Sequence, residues 1–191
     1  MATVTALHPE RADRVRVELD GAPWRTLPAA AVVAAGLGVG LALDRSRTRE
    51  LGRALRRVRA LEAAGQALSH RDRSVAGLAA QLERRGVPPQ ARAGAVETMS
   101  RLGYVDDERF AASRAASLAA RGYGDEAIRF DLEQQGLDEE QVLTALDELA
   151  PELERARTIA DASGATVKTA RRLAGKGFSA EAIEFALGEL E

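Results

Sequence analysis

The sequence contains no cysteine and few aromatic residues, and both absences exclude classes of protein. Of its 191 residues none is Cys, two are His and seven are aromatic. Without Cys the chain has no disulfide framework, no thiol nucleophile and no Cys-ligated zinc. With His8 and His70 alone, a His-rich metal centre is also excluded. The 46% apolar and 29% charged residues indicate a globular chain of one or two domains, or a small repeat array.

The net charge of −2 hides an uneven distribution of charge. Residues 1–101 hold 17 basic and 10 acidic side chains, whereas residues 102–191 hold 10 basic and 19 acidic ones. The first half therefore carries +7 and the second −9, as in an interaction protein with one end facing a negative partner. Of the basic residues 25 are Arg, a side chain that suits phosphate and carboxylate groups. GC-rich coding would favour Arg equally, so both explanations stay open.

One charge-free stretch, residues 26–43, has about the minimum length of a membrane span. It is rich in Ala and Gly, contains Pro28 and follows a charged segment. We therefore predict neither a transmembrane helix nor a signal peptide. The expected protein is soluble and cytoplasmic, with no membrane contact.

The first 44 residues predict a small extension that contains strands. Arg14–Leu19 alternates polar and apolar side chains, as a half-buried strand does. Asp20-Gly21 is a hairpin turn signal. A unit of two or three strands needs a partner surface, so we expect an appendage to a helical body. The elements expected after the turn are a return strand near 24–27, a short helix over 29–35 ended by Gly36, and a strand within 39–43.

An arginine-rich helix is predicted over residues 45–64. Its Leu51, Leu55, Val58 and Leu61 recur at helical spacing and form one apolar stripe. Four arginines share a face opposite much of this stripe, namely Arg49, Arg53, Arg56 and Arg57. They form either a solvated helix face or a contact for phosphates or an acidic partner. No aromatic residues accompany them, so sequence-specific binding of single strands is not expected.

The remainder of the chain repeats one pattern three times around Gly86, Gly136 and Gly177. Apolar residues stand directly after each glycine and again ten and thirteen positions later, the last being Leu190. The pattern predicts a helix closed by a left-handed Gly, a turn and a second helix. Units of this kind cannot bury their apolar faces alone and must stack on neighbours.

Further helices near 107–121 and 152–163 complete three copies of a three-helix unit. Asp138 with Gln141 predicts a capping box, and Ser179 predicts a helix cap. The expected divisions are an extension over 1–44, the basic helix with the first repeat over 45–101, a second repeat over 102–150 and a third over 151–191.

No group of residues forms a convincing catalytic or metal site. The acidic run 106–108, with Asp125 and Glu126, is a candidate metal or acid–base site. However, carboxylates in the first turn of a helix ordinarily accept backbone N–H bonds in water. The glycines of segment 36–40 lack the spacing of a phosphate loop, and His70 has no Ser or Cys partner in a motif.

The run LGYVDDERFA, residues 102–111, followed by RGYG, residues 121–124, closely resembles a signature of the RecX family of RecA regulators. Segments 19–21 and 36–40 resemble the strand-bearing extension of longer members, and the third repeat matches weakly as far as Leu190. Further matching positions are Ala67, Arg71, Ser74, Leu78, Leu82, Gly86, Ile128, Leu132, Gly136 and Leu137.

The resemblance implies a mainly α-helical fold, an elongated and curved array of three-helix repeats, with no catalytic residues, metal or cofactor. RecX-family proteins bind the groove of the RecA filament, inhibit ATP hydrolysis and strand exchange, and promote disassembly. The chain would then be a monomeric negative regulator of RecA in DNA repair, recombination and the SOS response, and direct contact with single- or double-stranded DNA stays open.

The signature also assigns roles to residues. Leu102, Tyr104 and Phe110 are expected to pack the junction between the first two repeats. Gly103 and Gly124 are expected to supply turns, and Asp106 to cap a helix that carries Asp107 and Glu108 in its first turn. The expected RecA-binding residues are Arg71, Arg85, Arg109, Arg121, Tyr123 and Arg129. For Tyr123, packing is an equal alternative. The expected DNA phosphate-binding residues are Arg49, Arg53, Arg56 and Arg57.

The chain departs from the family pattern in its acidic last two repeats and in the spacing of its glycines, 50 residues and then 41. The third repeat is therefore expected to lie less close to filament or DNA than the first. Three hypotheses remain: a RecA-binding inhibitor, a stand-alone DNA-binding module that uses the arginine-rich helix, and a hydrolase that uses the acidic run.

Overall fold

The protein consists of a small antiparallel sheet followed by a series of helices. The structure, a computed structural model, describes residues 2–188. Within this range the elements are β1 (Ala2–Glu10), β2 (Arg14–Leu19), β3 (Ala22–Pro28), α1 (Ala29–Ala34), β4 (Ala42–Leu43), α2 (Arg45–Leu68), α3 (Val75–Arg84), α4 (Pro89–Arg101), α5 (Asp107–Ala120), α6 (Asp125–Gln134), α7 (Glu139–Asp147), α8 (Glu152–Ser163), α9 (Val167–Ala174) and α10 (Ala180–Leu187). The mainly helical fold with a small N-terminal sheet is therefore confirmed.

The sheet has one more strand than the sequence predicts. Its strand order is β3-β2-β1-β4, and the extra strand, β1, pairs antiparallel with both β2 and β4. Sequence reasoning missed β1 because its alternation is weak, with Ala and Thr in place of strong strand formers, and because Pro9 lies within it. Its Val4 is nevertheless fully buried, so β1 is held by its pairing and by the core beneath it.

The turn from β2 to β3 is the one that the sequence predicts. Asp20 and Gly21 both have positive φ, +50° and +81°, as a two-residue type I′ hairpin requires. The Thr3 backbone N–H donates to Asp20 Oδ1 at 2.8 Å. The turn is thereby tied to β1 as well as to its own two strands.

The sheet packs on α1 and α2 through one apolar core. Leu51 of the predicted stripe is 3% exposed, whereas Leu55 and Val58 pack at the edge of the same cluster. The charge-free stretch 26–43 forms the end of β3, α1 and β4. No helix among the described residues is long and apolar enough to cross a membrane. The buried cluster comprises Val4, Val17, Leu27, Ala31, Val32, Ala35, Leu37, Leu51 and Ala54.

Three helices, α3, α6 and α9, end in the same type of glycine turn. The backbone N–H of the residue after each glycine donates to the carbonyl five residues earlier, at 3.0, 3.3 and 3.2 Å for Val87, Leu137 and Phe178. This is the Schellman closure of a helix, which needs a left-handed residue. Gly86, Gly136 and Gly177 supply it, with φ of +73°, +79° and +78°, as the sequence predicts.

The predicted helix caps are also present. Asp138 and Gln141 form the reciprocal capping box. Asp106 and Ser179 accept the backbone N–H groups of Arg109 and Ala182. Capping residues act locally, so their roles can be inferred from a few neighbouring residues.

The chain divides into two compact units. One comprises the described residues up to Arg71 together with Ala79–Leu102. The other comprises Asp72–Leu78 and the described residues from Gly103 onward, with the cores of the second and third repeats. In the first unit α2 packs on α1, on the sheet and on α4. Leu190, predicted to be a buried position of the third repeat, lies outside the described residues.

In the second unit, helix N-termini meet the glycine turns through hydrogen bonds to backbone carbonyls. At the start of α6 the Gly124 N–H donates to the Lys176 carbonyl at 2.9 Å, and the Glu126 N–H donates to the Gly177 carbonyl at 3.1 Å. The first N–H groups of a helix have no partner within it, so here the next repeat supplies the acceptors. At the start of α3 the Ser74 hydroxyl likewise donates to the Gln135 carbonyl at 2.5 Å.

Gly124 allows this close approach, which corrects its predicted role. Its φ is −84°, so it does not form the turn, and Gly122 with φ +76° takes that place. A Cβ on Gly124 would overlap the backbone of Gly177 and Phe178. Glycine is therefore needed at this position because it has no side chain, and not because of its conformational freedom.

Gly124→Ala should destabilise the protein by about 1–3 kcal/mol, because the added methyl forces two backbones apart. Gly94→Ala is the matched control, since Gly94 lies inside α4 with open space around its Cα and Ala favours a helix by about 0.5–1 kcal/mol. Urea denaturation of both variants measures the difference. Equal stability of the two variants would contradict the close approach at Gly124.

Candidate functional site

The four arginines predicted on one face of α2 are all exposed. Leu51 and Ala54 of the same helix are buried, so the helix is two-sided as predicted. None of the four forms an ion pair with a described acidic residue. This surface, the α2 arginine face, comprises Arg49, Arg53, Arg56 and Arg57.

The arginines predicted to bind RecA differ in how freely they can reach a partner. Arg71 is exposed in the segment between α2 and α3. Arg85 is tied to α2, because its guanidinium donates to the Ala63 carbonyl at 3.1 Å. Arg109 is 63% exposed but donates to the Gly103 carbonyl at 3.0 Å. Arg129 is half-buried near Asp125.

Tyr123 packs in the structure, and two cations lie over its ring. The half-buried side chain contacts the core of the second repeat. The Lys176 Nζ is 3.6 Å and the Arg121 Cζ 5.4 Å from the ring centroid. Cations within about 6 Å of an aromatic face are attracted to it, so Tyr123 holds Arg121 and Lys176 in place.

The acidic residues considered for catalysis act as helix caps and ion-pair partners. Asp106 caps α5, and the Asp107 carboxylate accepts the Val75 N–H at 2.8 Å. Asp125 pairs with Arg155, while Glu108 and Glu126 stay exposed. Among residues 2–188 no group of three or more His, Asp or Glu side chains could hold a metal ion.

Glu152 joins two helix N-termini with one carboxylate. Its Oε1 accepts the Asp125 N–H at 2.7 Å, and its Oε2 accepts the Ser179 hydroxyl at 2.6 Å. It lies in the first turn of α8 and thereby links the starts of α6 and α10. Sequence reasoning placed no weight on this residue, because it has no local capping pattern.

Arg155 fills the space beside this carboxylate. Its side chain, only 12% exposed, donates to the carbonyls of Tyr123 and Ala150 at 2.9 Å and pairs with Asp125. Burial raises the pKa of Asp125 above its usual 3.8, and the Glu152 charge adds to the rise. The positive charges of Arg155 and Arg129 act in the opposite direction.

Other candidates from the sequence have structural roles or no partner. The Gly40 N–H donates to the Val4 carbonyl at 2.8 Å, so segment 36–40 is a turn that joins the sheet. His70 is exposed at the end of α2. The predicted packing of Leu102 and Tyr104 is wrong, since they are 58% and 65% exposed, whereas Phe110 packs on the core of the second repeat.

Sequence reasoning overlooked a group of basic residues on and after α9. Lys168, Arg171 and Arg172 are exposed, and Lys176 follows in the closing turn. The signal was present, because residues 162–180 contain no acidic side chain. Adding charge over a whole half of the chain concealed it.

The second repeat matches a known domain. The family model described as RecX, second three-helix domain, matches residues 106–146, which span α5 to α7. Regulatory protein RecX of Xanthomonas campestris pv. campestris (strain B100) is 40% identical over 79 residues, or 41% of this chain and 49% of that protein. Regulatory protein RecX of Mycolicibacterium smegmatis is 37% identical over 92 residues, or 47% of this chain and 48% of that protein. The chain thus spans about half the length of the curated relatives it matches.

Two solved structures superpose on a larger part of this chain than the sequence matches cover. A crystal structure of regulatory protein RecX superposes with a TM-score of 0.84 over 99% of this chain and 100% of that one, at 21% identity. RecX from Lactobacillus salivarius gives a TM-score of 0.62 over 71% and 96%, at 20% identity. At these identities the structures establish the fold. Together with the matched domain and relatives, they confirm the resemblance to RecX.

Asp125→Asn should change how stability depends on pH. A carboxyl whose folded-state pKa is raised favours the folded state at low pH, and this contribution is lost as the pH rises through that pKa. The stability of the parent relative to the variant should therefore increase as the pH falls from neutrality toward 3.8. Urea denaturation at several pH values measures it. Asp161→Asn, which removes an exposed carboxylate paired with Arg157, is the control. If the difference in unfolding free energy between the parent and Asp125→Asn does not change with pH, the raised pKa is contradicted.

Proposed function

We propose that this chain, a relative of the RecX regulatory proteins, is a negative regulator of RecA. It would bind the groove of the RecA–DNA filament and reduce ATP hydrolysis, strand exchange and filament growth, and so act in DNA repair, recombination and SOS regulation. The observation that carries the proposal is the RecX second three-helix domain over residues 106–146, because relatives that match this chain are described as regulatory protein RecX.

The proposed regulator acts by contact and not by catalysis. Its half-buried carboxylates Asp107 and Glu152 accept backbone N–H groups at helix starts. Such carboxylates support helix ends and are not poised to exchange protons with a substrate. We further propose that the protein works without a cofactor, as a cytoplasmic monomer alongside the RecA that it regulates.

The RecA contact is proposed to be electrostatic and to involve the predicted arginines. Arg71, Arg109 and Arg121 are exposed, so their charged ends can meet acidic groups on the filament while their stems lie on the scaffold. Arg85, Tyr123 and Arg129 are partly engaged within the protein. We assign these three a smaller share of the contact.

The purified protein should inhibit the ATP hydrolysis of RecA on single-stranded DNA when added at stoichiometric amounts. Arg71→Glu should weaken inhibition by about fivefold, as expected for an exposed charge at an interface, and the loss should diminish at high salt. Arg11→Glu is the control, because Arg11 is exposed in the turn between β1 and β2. If the parent protein neither inhibits hydrolysis nor binds filaments, the proposed function is wrong.

A second candidate function is direct DNA binding through the α2 arginine face. The exposure of its four unpaired cations on one helix favours it, since contacts with phosphates dominate nonspecific affinity for DNA. This hypothesis differs from the first because it requires no RecA.

Direct binding through α2 predicts affinity for duplex DNA that falls steeply with salt. Arg53→Gln combined with Arg57→Gln should reduce the slope of log K against log salt concentration by about 2, close to 0.9 for each lost phosphate contact. Fluorescence anisotropy with a labelled duplex measures the slope. Arg11→Gln combined with Arg25→Gln removes two exposed charges from the sheet region as a control. An unchanged slope in the α2 variant would exclude this face.

A further inference from the structure

A basic face lies within the acidic half of the chain. Lys168 and Arg172 stand four residues apart on α9, Arg171 lies beside Arg172, and Lys176 follows in the turn after the helix. Residues three and four apart share a helix face. Arg121, from the end of α5, lines the same pocket as Arg172 and Lys176. We call these five residues the α9 basic face.

The cations of the α9 basic face have no acidic partners among the described residues. Elsewhere in the second unit several arginines are paired, Arg114 with Asp131, Arg155 with Asp125 and Arg157 with Asp161. The five residues of the α9 basic face form no such pair, and Arg172 donates only to the Ser163 hydroxyl. Like charges at this spacing destabilise a helix, so an anion bound there would relieve repulsion.

Part of the face is built around an aromatic ring. Tyr123 holds Lys176 at 3.6 Å and Arg121 at 5.4 Å from its centroid. Beside them lies an open pocket of about 340 Å³, whose lining includes Arg121, Arg172, Lys176 and Ile159. Three cations therefore converge on a space large enough for a phosphate group, and two of them are positioned by the same side chain.

We propose that the α9 basic face binds the phosphate backbone of a nucleic acid. Lys168 and Arg172 form a row along α9, about 6 Å apart for four residues of helix, and Lys176 adds a third charge in the turn that follows. A polyanion with regularly spaced charges fits such a row better than a single anion does. Arginine forks match phosphate oxygens in geometry as well as in charge.

The chemistry of the face favours nucleic acid over an acidic protein. Protein interfaces are anchored by large apolar or aromatic side chains that become fully buried. Around this pocket Leu173 is already buried, and Tyr123 is half-buried beneath cations. The face thus offers charge with little apolar anchor, which suits a backbone-dominated contact.

The inference differs from the expectation that the third repeat lies less close to DNA than the first. That expectation relied partly on the charge of the whole C-terminal half, −9, although all acidic residues of that half lie outside residues 162–180. Binding of nucleic acid to the α9 basic face requires no RecA. An experiment that contradicts this binding therefore leaves the proposed function untouched, and the reverse also holds.

Binding of the full chain to a fluorescently labelled short duplex, in the absence of RecA, tests the inference. The double variant Lys168→Gln/Arg172→Gln should bind about tenfold more weakly at about 100 mM salt, and its slope of log K against log salt should fall by about 2. Arg11→Gln/Arg25→Gln removes the same charge from the sheet region and should change affinity less than twofold. Circular dichroism checks the fold, and Arg171→Gln alone, with a slope change of about 1, decides the question if the double variant misfolds.

Three results would overturn the inference. The first is an unchanged slope in folded α9 variants. The second is loss of binding in Arg53→Gln/Arg57→Gln with none in the α9 variants, which would assign DNA to the α2 arginine face. The third is displacement of the duplex by polyglutamate at equal charge concentration, which would identify an acidic protein segment as the ligand.

Discussion

The stacking of repeats in the second unit depends on the meeting of opposite helix ends. The N–H groups at the start of α6 donate to the carbonyls of Lys176 and Gly177, which lie in the turn directly after the end of α9. A helix start carries partial positive charge and a helix end partial negative charge, so the contact is favourable in charge as well as in hydrogen bonding. The approach is possible because Gly124 has no side chain.

These junctions use most of the polar chemistry that the sequence offers for a site. Asp107 and Glu152 each accept N–H groups from the start of a helix in another repeat, and Arg155 is held by two carbonyls and a carboxylate. The exposed groups that could meet other molecules include Arg71, the α2 arginine face and the α9 basic face. These junctions therefore serve the stacking of the repeats, while the exposed cations remain available to other molecules.

The features that the sequence predicts correctly are those that depend on few neighbouring residues. The three glycine turns and the capping box are examples, since each is decided within one or two helical turns. Features that depend on residues far along the chain were missed: β1, which is defined by its partners, and Gly124, which faces a backbone about 50 residues away. The RecX-like signature assigns Tyr104 to the packing between the first two repeats, yet this side chain is exposed. Charge summed over halves concealed the α9 basic face for a related reason, because binding depends on local and not on total charge.

The glycine junctions also determine how the length of a repeat can vary. In both junctions the donor lies twelve residues before its own closing glycine, at Ser74 and Gly124, and the acceptor directly precedes the next one, at Gln135 and Lys176. The chain between successive glycines differs by nine residues, 50 against 41, yet the donor and acceptor positions correspond, although the donor is a hydroxyl at Ser74 and a backbone N–H at Gly124. The positions of donor and acceptor are therefore counted from the glycines, and a difference of nine residues between the repeats leaves them unchanged.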